Sequence, residues 1–271
     1  MHIPNIIILI FINSVIIYYF TIQYFDYPII YKLEPVYKAT KDSLIKSDCP
    51  RIIYQIVPDI NNVPSGLYHT IMSNKYINPE FEFRIYDYVS ALEELQNNFD
   101  KKVVKAYNSS ELYQIKTDYI KLAFIYKYGG FFIDIKNILC CKLIDLLAIN
   151  SVYYIHNLSN NTMDLSLLAS HPDNMGIKNA FKIATDQLTA YDYAVDHLEI
   201  TSGRLLGNEL FYLGYLTPFS LLVLDENKTV RFREFNNKKD VLKIYKSFDK
   251  ENRMCNLLPD IELNWKEKSI Y

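Results

Sequence analysis

Apolar and polar positions along the chain alternate between two periods. Arg51 to Val57 is a β-branched run closed by Pro58, and Glu82 to Tyr86 alternates after the breaker Asn78-Pro79; both predict strands. Between them, the loop Asn61 to Gly66 leads into a segment that predicts a helix to about Tyr76. Leu92 and Leu95 lie three apart and Phe99 four further on, which predicts a helix over Tyr88 to Phe99. Ser110 to Tyr128 predicts a longer helix that stops at Gly129-Gly130, followed by a short, aromatic, buried strand, Phe131-Phe132-Ile133. Further strands are expected at Val152 to Ile155 and Leu165 to Ala169, and helices at Asn174 to Tyr191 and Ser202 to Tyr215. Leu221–Leu224 and Thr229–Phe235 are expected to pair as a hairpin. Alternating β and α elements predict an α/β fold, a mostly parallel sheet with helices on both faces.

Ahead of this pattern, Ile6 to Ile22 is nearly continuous apolar sequence without a charge, broken only by Asn13, Ser14 and Thr21. As a helix it rises about 26 Å, enough to cross a thin hydrocarbon layer. Tyr18, Tyr19, Tyr24 and Tyr27 suit an interfacial belt, and no Lys or Arg precedes the run, as a cleaved leader would want. The reading is a membrane anchor over 1–25, a stem or linker over 26–48 rich in lysine with Pro28 and Pro35, and one catalytic domain over 49–271.

Composition narrows the classes. The 271 residues are 50% hydrophobic and 22% charged with a net charge of −2, an ordinary globular balance that lacks the basic stripe of a nucleic-acid binder. Twenty-four tyrosines in an Ile-, Asn- and Lys-rich chain reflect composition rather than a carbohydrate-stacking surface. Cys49, Cys140, Cys141 and Cys255 have no metal spacing and read as small buried hydrophobes rather than disulfide partners.

Chemistry concentrates in residues 114–136. Asp118 and Lys121 are one helical turn apart and share a face, and Asp134 ends the strand after the glycine pair. A charge there sits at the carboxyl edge of a sheet, where open α/β folds bind ligands. The run Asp118-x-x-Lys121, then Tyr126-Lys127-Tyr128-Gly129-Gly130-Phe131-Phe132-Ile133-Asp134-Ile135-Lys136, resembles the signature D-x-x-R…Y-x-x-G-G-x-Y-x-D-x-D. That signature marks the DXD-type glycosyltransferases of the capsular-polysaccharide and mannosyltransferase-like group, family 32. Arg51 to Val57 stands where that family has P-K-I-I-H-Q-I-W, and Asn78 to Asp87 where it has N-P-x-Y-x-Y-x-L-W-D. Weaker echoes follow at Ala169 to Pro172 and Thr201 to Arg204.

The resemblance implies a GT-A-like domain that transfers a sugar from a nucleotide-diphosphate donor to a glycan or glycoconjugate, with anomeric retention. It also implies a lumenal catalytic domain (ER- or Golgi-like) behind the anchor; the lysines after the apolar run, taken alone, point to the cytosol. Sequons at Asn108, Asn157, Asn160 and Asn227 permit glycosylation in a lumen. The usual cofactor is Mn²⁺ or Mg²⁺ held by the second Asp of D-x-D. Here that position is Lys136, and no two aspartates of the chain are spaced D-x-D. Three readings stay open: Lys136 neutralises the diphosphate in place of metal; Asp134 holds a metal with a carboxylate from the C-terminal half; or the protein binds without transferring.

Carried over residue by residue, the resemblance puts Asp134 and Lys136 at the diphosphate and Asp118 at the sugar hydroxyls. Lys121 becomes a supporting charge where Arg is usual, and a solvated lysine is the plainer explanation. Val57 stands where a Trp stacks on the nucleobase, Gln55 keeps its family identity beside the base, and Gly130 allows close approach to the donor. Phe132 replaces a Tyr and reads as core. His156 and His171 read as loop residues, and Trp265 as a lid or as packing of the tail.

Overall fold

The structure, a computed structural model, describes residues 30–139, 142–147, 153–157, 162–190, 205–207, 209, 221–224, 229–232 and 240–244. The chain opens with two short strands, β1 (Ile30–Tyr31) and β2 (Val36–Tyr37), then β3 (Ile52–Ile56) and β4 (Val63–Pro64). Helix α1 (Ser65–Ile77), strand β5 (Glu82–Tyr86) and helices α2 (Tyr88–Asn98), α3 (Lys101–Ser109) and α4 (Tyr113–Tyr128) follow. Then come β6 (Gly130–Ile133), β7 (Asn137–Leu139), α5 (Leu143–Leu147), β8 (Tyr153–Asn157), β9 (Thr162–Ser170) and α6 (Met175–Ala190). Strands β10 (Leu221–Leu224), β11 (Thr229–Phe232) and β12 (Asp240–Ile244) complete the described elements.

Ten strands form one sheet in the order β2-β5-β3-β6-β9-β8-β10-β11-β12-β7, and β1 pairs with β4 apart from it. Parallel pairing, expected from the β/α alternation, joins the strands at the site, β3 with β5 and with β6, and further along the sheet β8 with β10. Pairing elsewhere in the sheet is antiparallel, including the expected hairpin of β10 with β11.

Alternation along the strands splits the core in two. Tyr54 and Phe132 face a cluster with Leu95, Ala106, Tyr119, Phe124 and Ile177, under α2, α3, α4 and α6. Ile53, Phe83, Phe131 and Ile133 face the other way, onto Ile71 of α1 and Leu143 and Leu146 of α5. Helices therefore cover both faces, as the sequence pattern predicts. Local chemistry sets the boundaries near the site. Asp87 caps α2 through a capping box, its Oδ1 accepting from Ser90 N–H while Ser90 Oγ accepts from Asp87 N–H, both at 2.9 Å. Helix α4 stops at Gly129, whose φ of 65° a side chain resists.

The stem expected over 26–48 is corrected in its described part. Leu33 is fully buried and its N–H donates to Ile60 O at 2.9 Å, Pro35 O accepts from Ile85 N–H at 2.8 Å, and β2 extends the sheet beside β5. The domain thus reaches back to Ile30, because these residues find backbone partners far along the chain. The anchor expected over 1–25 lies outside the described residues, and no helix among the described residues is long and apolar enough to cross a membrane.

Candidate active site

Asp134 follows β6 directly, at the carboxyl edge of the parallel strands. Its N–H donates to Ser166 O of β9 at 2.9 Å, and its carbonyl accepts from Asn137 N–H at 2.9 Å. The chain therefore turns at once, and Lys136 lies in that turn and not on a continuing strand.

Helix α4 lies over β6 and presents Asp118 and Lys121 to this edge. Lys121 Nζ stands 3.0 Å from Asp118 Oδ1 and 2.8 Å from Asp134 Oδ1. The ammonium also lies over the Phe132 ring, 5.4 Å from its centroid. Its side chain is only 4% exposed, against 13% for Asp118 and 37% for Asp134. Burial pushes the Lys121 pKa down, but the two carboxylates outweigh it and hold the ammonium above the ordinary lysine range. Lys121 is therefore a buried cation shared by two acids, not the solvated lysine of the plainer explanation. The triad carries a net negative charge, with Asp134 the member most open to a ligand.

Sequence reasoning missed the aromatic residues beside the triad. Tyr88 and Tyr113 stack with centroids 4.6 Å apart at 30°. The Tyr88 hydroxyl is 3.1 Å from Thr117 Oγ1, and Tyr107 donates to the Tyr88 carbonyl at 3.0 Å. Burial raises the Tyr88 phenol above its ordinary range, against the opposing pull of its hydrogen bond to Thr117, which neighbours Asp118 on α4. The available signal was position: Tyr88 follows the β5 strand end, and Tyr113 opens the helix that carries Asp118.

The remaining expected residues fall elsewhere. Val57 is fully buried in the core, its N–H donating to Tyr86 O at 2.8 Å, so it offers no surface to a base. Gln55 is also fully buried, and neither of its amide atoms has a partner among the described residues. Gly130 begins β6, at the end away from Asp134, and a Cβ there would lie 2.7 Å from Ile52 O. The close approach expected of Gly130 is thus to its own neighbouring strand. His171 follows Ser170, which pairs with Gly130, so it too lies at that far end. Cys49 is a buried thiol pushed up to about 12 by burial, in keeping with a small hydrophobe. Cys140, Cys141, Cys255, Trp265 and the side chain of His156 lie outside the described residues.

No group of three or more His, Cys, Asp or Glu residues among the described ones is arranged to hold a metal ion. Asp134 meets the Lys121 ammonium, and the third motif position, where the metal-holding acid is usual, is a second lysine. These residues do not by themselves fit a divalent cation.

Residues 60–154 match the family model of the glycosyltransferase sugar-binding region containing a DXD motif. That span includes Asp118, Lys121, Asp134 and Lys136, and is well under half of the chain. No curated protein matches the chain at a significant level. A solved structure titled PaToxG Glycosyltransferase is similar, with a TM-score of 0.49 and 12% identity over 61% of this chain and 70% of its own. A likeness of that size decides neither fold nor activity.

Proposed function

We propose that the chain is a glycosyltransferase that moves a sugar from a nucleotide-diphosphate donor to a glycan or glycoconjugate, with retention, as its resemblance to the family 32 signature implies. One observation carries this reading: three residues of that signature, Asp118, Lys121 and Asp134, meet at the carboxyl edge of the parallel strands, inside the matched span. In this reading the Asp118 and Asp134 carboxylates accept hydrogen bonds from donor-sugar hydroxyls, and Lys121 holds both acids in place. Lys136, in the turn after Asp134, stabilises the departing diphosphate as a point charge. In this reading Lys136, at the position of the second motif acid, takes the part of a divalent cation at the diphosphate. The apolar run Ile6 to Ile22 supports anchoring at a membrane, with the domain on the lumenal side as in family-like proteins.

A second reading, a nucleotide- or sugar-binding protein without turnover, is favoured by the loss of the second motif acid to Lys136. Hydrolysis of a panel of UDP- and GDP-sugars by the full chain separates the two. Released sugar supports the transferase. Thermal stabilisation by a nucleotide without turnover supports the binding protein, and neither effect with any nucleotide removes both.

A further inference from the structure

The turn that carries Asp134 and Lys136 is clamped by the buried side-chain amides of Asn137 and Asn74, neither of which the resemblance includes. Asn137 Nδ2 donates to Ser166 O at 2.7 Å, the same carbonyl that accepts the Asp134 N–H at 2.9 Å. Both ends of the turn therefore hang from one acceptor on β9. On the far side of β7, Asn74 of α1 donates from Nδ2 to Asn137 O at 2.7 Å and accepts at Oδ1 from Leu139 N–H at 2.9 Å. An acceptor and a donor two residues apart are what a neighbouring parallel strand would satisfy. Here one side-chain amide does so along the edge of β7 that does not pair with β12. Asn78 completes the set, donating to Asn74 O at 2.9 Å and accepting from Leu143 N–H at 2.7 Å.

Asn74 and Asn78 are fully buried, and Asn137 is 1% exposed. Burying amides in an otherwise apolar layer costs desolvation that aliphatic packing of α1 would avoid. What the amides add is direction, since each hydrogen bond is lost on a small displacement.

We propose that Asn137 and Asn74 are positioning residues: they fix the turn so that Asp134 meets Lys121 and Lys136 faces the donor. For catalysis this rests on the transferase reading above; for the geometry of the turn it does not. The test uses Asn137→Ala, which removes the donor to Ser166 O, and Asn74→Asp, which keeps the acceptor for Leu139 N–H and loses the donor to Asn137 O. Amide hydrogen exchange is followed at residues 134–139, with Ile53 and Phe83 of the central strands as internal reference. Both variants should exchange about tenfold faster at 134–139 with the references unchanged, since a local opening is reported separately from global unfolding. Donor-sugar hydrolysis should lose about tenfold in kcat with KM changed far less, since misplacing a held group costs turnover rather than binding.

Unchanged exchange at 134–139, faster exchange spread equally over the references, or an unchanged kcat in an active protein overturns the proposal. If Asn137→Ala does not fold, Asn74→Asp alone decides it. If the wild-type protein turns over no donor, the transferase reading fails and exchange at the turn decides the clamp.

Discussion

Lys121 Nζ lies 2.8 Å from Asp134 Oδ1, joining the middle of helix α4 to the end of strand β6. The same ammonium holds Asp118 at 3.0 Å, so its removal leaves two acids facing one another in a largely buried space. Breaking a buried pair on one side costs about 3–5 kcal/mol, and the partial exposure of Asp134 places Lys121→Met near the lower end. Asp134→Asn leaves Lys121 paired with Asp118 and should cost under about 1 kcal/mol. Urea unfolding of the two variants checks the asymmetry, and equal losses would contradict it.

The pH dependence of that contact follows from its sign. Lys121 has a raised pKa in the folded state, so its contribution is fully present below the ordinary lysine value of about 10.4 and falls as pH rises through the higher folded value. Between neutral pH and about pH 9 the stability gap between wild type and Lys121→Met should stay flat. Urea midpoints across that range measure it.

Asp87 works in the opposite sense. Partial burial raises its pKa, but the Ser90 hydrogen bonds and neighbouring backbone donors prevail and hold it below the usual aspartate value. Its contribution is therefore present above about pH 4 and is lost as pH falls through the lower folded value. Asp87→Ala should cost about 1 kcal/mol at neutral pH, the usual value of an N-cap, with the difference shrinking in acid. Parallel denaturant titrations at neutral and acid pH read both effects.

Gly130→Ala should be severe. The residue has φ of 94°, and an added Cβ meets Ile52 O at 2.7 Å, a backbone atom that cannot swing aside. Strain of about 1–3 kcal/mol is expected from the dihedral before the clash is added. Soluble expression with an unchanged melting temperature would contradict the packing role given to this glycine.

Gln55 offers a test in the stabilising direction. With both amide atoms buried and unpartnered among the described residues, Gln55→Leu should raise stability by about 1 kcal/mol, because an orphaned amide costs desolvation that a leucine does not. Differential scanning calorimetry would show it. A lower melting temperature in the variant would mean that the amide is satisfied in solution.

Much of the site was legible because its elements carry their own signals. Strands β3 and β5 and helix α4 have clear periods and breakers, Asp118 and Lys121 stand one turn apart on α4, and Asp134 stands out as a charge at the end of β6. The less legible features depend on distant partners. Strands β1 and β2 are two residues each and exist through pairing with β4 and β5. Asn74 looks ordinary in an Asn-rich chain, since its partner Asn137 lies 63 residues away. Helix α3 hid behind its lysines, although Asp100 caps it through Val103 N–H at 3.0 Å. The burial of Lys121 could not be read from spacing, because two acids from separate elements are what make it tolerable.

The most direct test of the central claim is donor-sugar hydrolysis by the full chain in EDTA, with Lys136→Ala alongside. The account predicts turnover that survives EDTA in the wild type and falls by about a hundredfold in Lys136→Ala, the scale of losing one group that stabilises developing charge. Turnover that vanishes in EDTA, returns with Mn²⁺ or Mg²⁺ and is indifferent to Lys136 would contradict it.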